Sequence, residues 1–388
     1  MNSYKPLSLY IHIPFCVRKC LYCDFLSFPE AEGMRLRYMD ALYREIERWG
    51  EELKDHKVIT VFIGGGTPSL LSGSEIMLLM KTVRENFDLE RGAEITIESN
   101  PGTLSEENLS ACLLSGINRL SMGLQSCHNN ELKILGRIHR FEDFLKNYTL
   151  ARSVGFQNIN IDLMSALPHQ TTQSWEDNLK QVIALSPEHI SAYSLIIEEG
   201  TPFYDLYHRE VALRDADKLP AGSSLPTEDE EREMYHLTGS MLKTAGYGRY
   251  EISNYALSGK ECAHNKVYWT RGEYLGLGLG ASSLLHACRF KNTSVLKDYC
   301  VHPENAVAEE ELLSKQAAMS EAMFLGLRLT EGVDMDAFRA RYEEDPLILY
   351  EDWIKKMCSE GLLVLNGTHL YLSETGLDLA NYVMGGFV

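Results

Sequence analysis

The feature of this sequence that most restricts its fold is a repeating alternation of strand-like and helix-like segments over the first 200 residues. Apolar residues with helical spacing separate six short β-branched or alternating runs, each of which predicts a buried strand. The six runs are LYIHI (9–13), ITVFI (59–63), EITIE (94–98), RLSMGL (119–124), NINIDLM (158–164) and HISAYSL (189–195). Six such units predict an α/β fold with a parallel sheet that curves into a partial (βα)₆ barrel of the TIM type.

The alternation becomes less regular after residue 200. Residues 208–230 are polar and contain two prolines, which predicts a solvated segment before a helix near 228–245. Beyond residue 312 the apolar spacing again predicts helices, near 315–327, 334–342 and 347–360.

The C-terminal part of the sequence ends in a hairpin signal. The runs LLVL and HLYL lie on either side of Asn366-Gly367-Thr368, which favours a tight turn. Helices followed by a small hairpin predict a C-terminal helical, winged-helix-like domain. The predicted organisation is a barrel over residues 1–245, a connecting region over 246–310 and the C-terminal domain over 311–388.

The charge balance bears on possible partners. Lys and Arg total 37 against 55 Asp and Glu, so the formal net charge is −18. This charge argues against a broad attraction to nucleic acid or anionic lipid. The stretch 331–360 also carries more acidic than basic residues, so the C-terminal domain lacks a basic recognition face for DNA. We therefore expect no nucleic-acid partner.

The N-terminal residues and the cysteine count indicate the compartment. The start, MNSYKPLSLYIHIPF, lacks the basic and long apolar regions of a secretion signal, and no apolar run reaches the roughly 18 residues of a membrane span. Nine cysteines are scattered through the chain, an odd number that favours free thiols and a metal site over a disulfide framework. These features predict a cytoplasmic protein without a membrane span.

Three of the cysteines form a cluster in CVRKCLYCDF (16–25). Cys16, Cys20 and Cys23 directly follow the first predicted strand, so they are expected on a loop at the carboxyl-terminal mouth of the barrel, where such folds hold their active sites. Structural zinc normally takes four protein ligands. Three thiolates on a [4Fe–4S] cluster would leave one iron open for chemistry.

Three other interpretations also fit three cysteines on one loop. The cysteines could be small buried hydrophobic residues that happen to lie together. They could bind zinc with a fourth ligand such as His12. They could also hold an electron-transfer cluster that a distant cysteine completes.

With Tyr22 before its last cysteine, the C-x₃-C-x₂-C array resembles the signature of the radical S-adenosylmethionine (SAM) superfamily. The resemblance implies a partial (βα)₆ barrel and a [4Fe–4S] cluster on Cys16, Cys20 and Cys23. It also implies that the open iron binds the amino and carboxylate groups of SAM. In that family the reduced cluster cleaves SAM to methionine and a 5′-deoxyadenosyl radical.

Polar and glycine residues at the strand ends extend the resemblance. Gly64, Gly65 and Gly66 with Thr67-Pro68 resemble the family's GGGTP motif, where absent side chains let the backbone approach a ligand. Several further residues match the oxygen-independent coproporphyrinogen oxidase branch in motif and spacing. The resemblance implies SAM binding by Tyr10, Tyr22, Gly65, Gly66, Thr67, Glu98, Gln125, Arg137 and Asp162.

The whole chain resembles the oxygen-independent coproporphyrinogen oxidase-like family, in which two subtypes differ near the cluster. Decarboxylating oxidases have a further cysteine two positions after the third one, where this chain has Phe25. They also have a longer N-terminal extension ahead of the cluster. Both departures favour the subtype of HemW-type heme chaperones.

The stretch HNKVYW (264–269) resembles the H-N-x-x-Y-W motif of that subtype. A neutral imidazole is a good iron ligand, so the resemblance implies heme handling by His264, Tyr268 and Trp269. The alternative is a loop whose aromatic rings pack on the barrel, with His264 only hydrogen-bonded. Other candidate heme ligands are His286, His12 and Cys262. The family often has a histidine at the position of Ser282.

The leading hypothesis is therefore a heme chaperone of the radical SAM class that passes heme to an unidentified acceptor protein and needs an electron donor for its cluster. The alternative is a coproporphyrinogen III oxidase that converts two propionates to vinyl groups. A third class, a SAM-independent electron-transfer or regulatory protein, leaves GGGTP and the polar strand ends without a role.

Overall fold

The computed structural model describes residues 4–29 and 33–388. The elements of the first half alternate between strand and helix as predicted. They are β1 (Lys5–Ile13), β2 (Phe15–Cys16), β3 (Phe28–Pro29), α1 (Met34–Glu52), β4 (His56–Gly65), α2 (Gly73–Asn86), β5 (Asp88–Ser99), α3 (Glu106–Leu114), β6 (Arg119–Gln125), α4 (Asn129–Ile134), α5 (Phe141–Val154), β7 (Ile159–Ser165), α6 (Thr172–Leu185) and β8 (His189–Ser194).

The six predicted strands are β1, β4, β5, β6, β7 and β8, and they lie side by side in chain order with parallel pairing. Both faces of these strands are covered, one by helices and the other by the opposite part of the sheet. This explains why their sequences are nearly continuous apolar runs. In β6 every residue is buried. The predicted α/β class is confirmed.

The connecting part of the chain contains more regular structure than the sequence predicts. Its elements are α7 (Pro202–Asp215), α8 (Glu228–Thr244), β9 (Gly248–Arg249), β10 (Asn254–Ala256), α9 (Ala263–Trp269), β11 (Tyr274–Leu277), β12 (Ser282–Leu285), β13 (Cys288–Asn292), α10 (Leu296–Val301) and β14 (Val307–Leu312).

Helix α7 corrects the prediction of a solvated segment that begins at residue 208. Thr201 caps the helix by accepting a hydrogen bond from the Tyr204 amide, and Pro202 occupies the first turn. Phe203 is its only buried residue, so α7 has no periodic apolar stripe for sequence analysis to detect. A polar surface helix of this kind resembles a loop in composition.

Strands from the connecting region extend the parallel sheet at both edges. β11 pairs with β1 as a seventh parallel strand, and β12, β13 and β14 follow it in antiparallel order. At the other edge β10 and β9 continue from β8. The described residues thus form a twelve-stranded sheet in the order β14-β13-β12-β11-β1-β4-β5-β6-β7-β8-β10-β9. The domain boundaries at 245 and 310 stay predictions.

The C-terminal part forms a separate hydrophobic cluster built from residues between Ala318 and Phe387. Its predicted hairpin is confirmed, and β15 completes a three-stranded sheet in the order β15-β17-β16. The elements are α11 (Lys315–Gly326), β15 (Val333–Asp334), α12 (Met335–Tyr342), α13 (Pro346–Leu349), α14 (Glu351–Ser359), β16 (Leu363–Asn366), β17 (His369–Leu372), α15 (Glu374–Asp378) and α16 (Ala380–Gly385). Within the described ranges, every helix is too short or too polar to cross a bilayer.

A buried carboxylate joins α1 to the edge of the sheet. Glu45 is fully buried, and its two oxygens accept hydrogen bonds from the Gly278 amide, the Asn292 side-chain amide and the Tyr299 hydroxyl, each at 2.7 Å. Burial raises the pKa of Glu45 to about 7, and these three hydrogen bonds act in the opposite direction. Glu45 therefore fixes the connecting strands against the first helix.

We expect the Glu45→Ala substitution to lower the free energy of unfolding by about 3 kcal/mol or more, because three buried donors lose their acceptor. The urea midpoint of the purified protein measures the effect. Glu47→Ala, on an exposed position of the same helix, serves as the control. Equal midpoints for the two variants would contradict this structural role of Glu45.

Candidate functional site

A cavity of about 330 Å³ lies beneath the cysteine loop, at the carboxyl-terminal side of the sheet. Residues from β4, β5, β6, β7 and β8 all line it, so the sheet curves around one space. Ten residues that the sequence singled out reach this cavity: Cys16, Cys20, Tyr22, Cys23, Gly65, Gly66, Glu98, Gln125, Arg137 and Asp162. The fold therefore brings together residues that are up to 146 positions apart in the chain.

The cysteine loop presents three thiols to the cavity. Cys16 is buried at the end of β2, while Cys20 and Cys23 are half-buried, and all three are free of disulfides. No fourth cysteine of the described ranges lines the cavity. Three free thiols on one loop suit an iron–sulfur cluster that keeps one iron open, and they do not form a closed four-ligand zinc site.

The GGGTP segment holds this loop in place. The Gly66 amide donates to the carbonyl of Ile13 and the Thr67 amide to the carbonyl of Phe15, both at 2.8 Å. The Thr67 hydroxyl also lies 3.5 Å from the Cys16 sulfur as a donor. A Cβ atom at Gly66 would lie 2.7 Å from the Phe15 oxygen, so the close approach of these two segments requires glycine.

His12 supports the loop from behind the cavity. Its Nε2 lies 2.9 Å from the carbonyl oxygen of Leu26, and its Nδ1 lies 3.0 Å from the Tyr10 hydroxyl. Burial lowers the pKa of His12, so the ring is neutral at neutral pH. Tyr10 and Thr67 do not line the cavity, but Tyr10 contacts Phe62 and Thr67 contacts Cys16, and both of these do.

Two half-buried carboxyl groups face the cavity. Burial raises the pKa of Glu98 to about 7; the charge of Asp162 adds to the shift, and the Gly65 amide, which donates to Glu98 at 3.0 Å, opposes it. Burial also raises the pKa of Asp162, although the Asn160 side chain donates to it at 2.7 Å. A cationic ligand group would favour the ionised form of both carboxyls.

Two guanidinium groups, one half-buried and one buried, balance this acidity. Arg137 donates to the Tyr22 hydroxyl at 2.8 Å and to the Asn100 side-chain oxygen at 2.6 Å. Arg119, in the first position of β6, is 2% exposed and also lines the cavity. Within the described residues the Nε atoms of both arginines lack a hydrogen-bond partner. The cavity therefore offers unsatisfied donors as well as carboxylates, which suits a zwitterionic ligand such as SAM.

Gln125 occupies a strained backbone position at the end of β6. Its φ is +72°, and the register between β6 and β7 shifts at this point. Its side-chain oxygen accepts a hydrogen bond from the Tyr193 hydroxyl at 2.9 Å. Strain of this kind in a non-glycine residue is characteristic of functional sites, where the surrounding structure enforces it.

Sequence analysis missed several polar residues of the cavity wall. They are Asn100, Arg119, Ser121, Asn160, Ser191, Tyr193, Asn254 and Asn265. Arg119 gave the clearest available signal, because a charged residue at the start of an apolar strand needs a buried partner. Most of the others are polar residues next to or inside predicted strands, while Asn254 and Asn265 lie in the connecting region, the second within the HNKVYW motif. Only the tertiary structure shows that they face one cavity.

The HNKVYW motif forms helix α9, so the expectation of a loop was wrong. The rest of that alternative agrees with the structure, because His264 is hydrogen-bonded at both ring nitrogens and packs against the sheet. His264 is 1% exposed, with Nδ1 2.8 Å from the Thr60 hydroxyl and Nε2 2.9 Å from the Tyr268 hydroxyl. Its ring stacks on Phe62, which lines the cavity. The Trp269 ring lies under the Arg328 guanidinium at 4.3 Å. Both nitrogens of His264 are thus engaged within the protein.

Comparison with known proteins adds independent information. The family model for the radical SAM superfamily matches residues 10–182, and that for the HemN C-terminal domain matches residues 313–379. The heme chaperone HemW of Lactococcus lactis is 36% identical over 385 residues, which cover 99% of this chain and 98% of that protein. HemW of Bacillus subtilis is 34% identical over 392 residues, with 98% and 99% covered.

Among solved structures, coproporphyrinogen III oxidase (HemN) from Escherichia coli, described as a radical SAM enzyme, has a similar fold. It is 25% identical, with a TM-score of 0.83 over 99% of this chain and 90% of that one. The predicted radical SAM fold with an additional C-terminal helical domain is thereby confirmed. The chain belongs to the HemW family within the radical SAM superfamily.

Proposed function

We propose that this protein is a heme chaperone that holds a [4Fe–4S] cluster on Cys16, Cys20 and Cys23, binds SAM in the adjoining cavity and transfers heme to an acceptor protein. The observation that carries the proposal is the set of three free thiols facing a cavity with both carboxylates and unsatisfied guanidinium donors. Similarity to HemW heme chaperones over nearly the whole chain supports the heme part.

When bound, the cluster would supply an open iron for the amino and carboxylate groups of SAM and an electron for its cleavage. The residues of this chain would orient the nucleotide. Glu98 and Asp162 would accept hydrogen bonds from the amino group or the ribose hydroxyls, and Arg137 would fix Tyr22 next to the cysteines. The arginines would also offset the carboxylates, so that the cavity tolerates a ligand of mixed charge.

Phe25 speaks against the oxidase alternative. Its side chain is 65% exposed and lies at the cavity wall, at the position where decarboxylating oxidases have a further cysteine. A phenyl ring can offer neither a thiolate nor a transferable hydrogen from sulfur. The ring instead provides an apolar surface at the mouth of the cavity, which suits contact with a flat apolar ligand.

Helix α9 would contribute to heme handling through its contact with the cavity wall. Asn265 lines the cavity, and His264 supports Phe62 from behind. His264 would bind heme iron only after its Nε2 lost its bond to Tyr268. Heme capture through this motif would therefore require a rearrangement within α9.

The remaining parts of the proposal concern partners and location. An electron donor for the cluster and a heme-acceptor protein are required. We expect the protein to work in the cytoplasm, because all nine cysteines are free thiols, as is usual in a reducing compartment.

Anaerobic reconstitution with iron and sulfide, followed by dithionite, SAM and either heme or coproporphyrinogen III, tests the proposal. We expect a stable heme complex by absorption spectroscopy and transfer of that heme to an apo-acceptor. Release of carbon dioxide with formation of a vinyl product would instead establish the oxidase. The Phe25→Cys variant, tested in the same way, shows whether a thiol at this position is sufficient for oxidase activity.

The Cys20→Ala variant tests the cluster. We expect its iron content after reconstitution to fall from about four per chain to near zero, together with the loss of SAM cleavage, because two thiolates cannot hold the cluster. Cys358→Ala removes a half-buried cysteine of the C-terminal domain and should keep both properties. A Cys20→Ala protein with full iron and SAM cleavage would refute the assignment.

The pH dependence of stability tests the buried state of His264. Burial, followed by the charge of Arg119, lowers the pKa of His264 to about 3. In the unfolded chain the pKa of this ring is near 6.5, so between pH 3 and pH 6.5 the unfolded chain binds more protons than the folded chain. The stability contributed by His264 is therefore complete above pH 6.5 and is lost as the pH falls toward 3.

The measurement is the difference in free energy of unfolding between wild type and His264→Asn at pH 7 and pH 5. We expect the difference to decrease at the lower pH, because only the wild type loses stability through this ring. A difference that is constant or grows with acidity would show that His264 is accessible to protons in the folded state.

A further inference from the structure

Three side chains with metal-binding capacity lie at the end of the sheet opposite the cysteine cavity. His56 is the first residue of β4, Glu273 directly precedes β11, and His286 lies in the turn between β12 and β13. β1 separates β4 from β11, so the side chains approach each other across its amino-terminal end. Phe62, which lines the cavity, is six residues along β4 from His56, a separation of roughly 20 Å.

The geometry of these three side chains matches a metal site. One ligand atom from each lies within 4.8 Å of the other two. The Nε2 atom of His56 is 3.6 Å from Oε2 of Glu273, which is too long for a hydrogen bond. Ligand atoms around a tetrahedral zinc ion are about 3.4 Å apart, given metal–ligand distances of about 2.1 Å.

His56 provides an independent observation. Its side chain is 1% exposed, and within the described residues neither ring nitrogen makes a hydrogen bond of acceptable geometry. A buried polar group without a partner is costly, so native structures rarely keep one without a bound water or ion. The unsatisfied Nε2 lies 3.6 Å from Oε2 of Glu273, close enough for the two atoms to share one metal ion.

Asp55 occupies the position of an outer partner. Its Oδ1 lies 2.8 Å from Nδ1 of His56, and its other oxygen accepts a hydrogen bond from Lys5 at 2.9 Å. Metal-binding histidines usually direct their second nitrogen at a carboxylate, which fixes the ring and its tautomer. His56 has the same arrangement, because its Nδ1 contacts the carboxylate of Asp55, which Lys5 holds, and its Nε2 faces Glu273.

Glu273 connects His56 to His286. Its Oε1 accepts a hydrogen bond from the His286 amide at 2.7 Å, while its Oε2 faces His56. His286 and Ala287 form a two-residue turn with φ values of +50° and +61°, a conformation for which Asn-Gly is the usual pair. The turn brings the His286 ring to 5.6 Å from the His56 ring, measured between centroids.

We propose that His56, Glu273 and His286 bind one divalent transition-metal ion of the zinc class. Two imidazoles and one carboxylate are a common protein donor set for zinc, with water in the fourth position. The ion would join β4, β11 and the β12–β13 turn. This site shares no residue with the cluster or the SAM cavity, so it extends beyond the proposed function.

The test uses the tag-free, full-length protein after cluster reconstitution. Equilibrium dialysis against zinc chloride with elemental analysis should show one bound zinc per chain in addition to the cluster iron. His286→Asn should bind zinc about 100-fold more weakly or worse, because one ligand is lost. Asparagine readily adopts the left-handed conformation, so this variant keeps the turn.

Three further measurements make the test decisive. His302→Asn, at an exposed histidine outside the site, should retain the zinc. A Cys16→Ser, Cys20→Ser, Cys23→Ser protein should also retain it, which separates this site from the cysteine loop. Zinc should raise the unfolding temperature of wild type and not that of His286→Asn. Absence of zinc from the wild type, its retention by His286→Asn, or its loss with the cysteines would overturn the proposal.

Discussion

The parallel pairing of β1 with β4 is the interaction on which the rest of the candidate site depends. It places Ile13 next to Gly65, so the cysteine loop that follows β1 leaves the sheet beside the glycine segment that follows β4. The amides of Gly66 and Thr67 then hold the start of the loop through two backbone hydrogen bonds. These contacts leave no room for a Cβ atom at Gly66. The packing of the two backbone segments therefore requires glycine at this position, whether or not a ligand is bound.

The cavity combines charges that would be costly if they were alone. Glu98 and Asp162 are half-buried in the same cavity as Arg119 and Arg137, and the charges of the arginines partly offset the burial of the carboxyls. The balance is incomplete, because both carboxyls keep raised pKa values and both arginines keep an unsatisfied Nε. A pocket in this state gains more from a zwitterionic ligand than a fully satisfied pocket would.

Helix α9 shows how distant residues control local structure. Glu94, on β5, accepts hydrogen bonds from the amides of Ala263 and His264 at 3.1 Å, in the first turn of the helix. A carboxylate at this position stabilises the helix through its unpaired amides and its dipole. Because Glu94 is 170 positions away from His264, no local pattern around HNKVYW could predict a helix there.

The sequence by itself determined the strand–helix alternation, the three-cysteine loop and the C-terminal hairpin, because each is a local pattern of residue types. Tertiary structure alone decided that β11 adds a seventh parallel strand and that α7 is a helix without an apolar stripe. It also decided which polar residues share the cavity, and that His264 has no free nitrogen. These features depend on sheet curvature and on contacts between distant segments, which residue order does not encode locally.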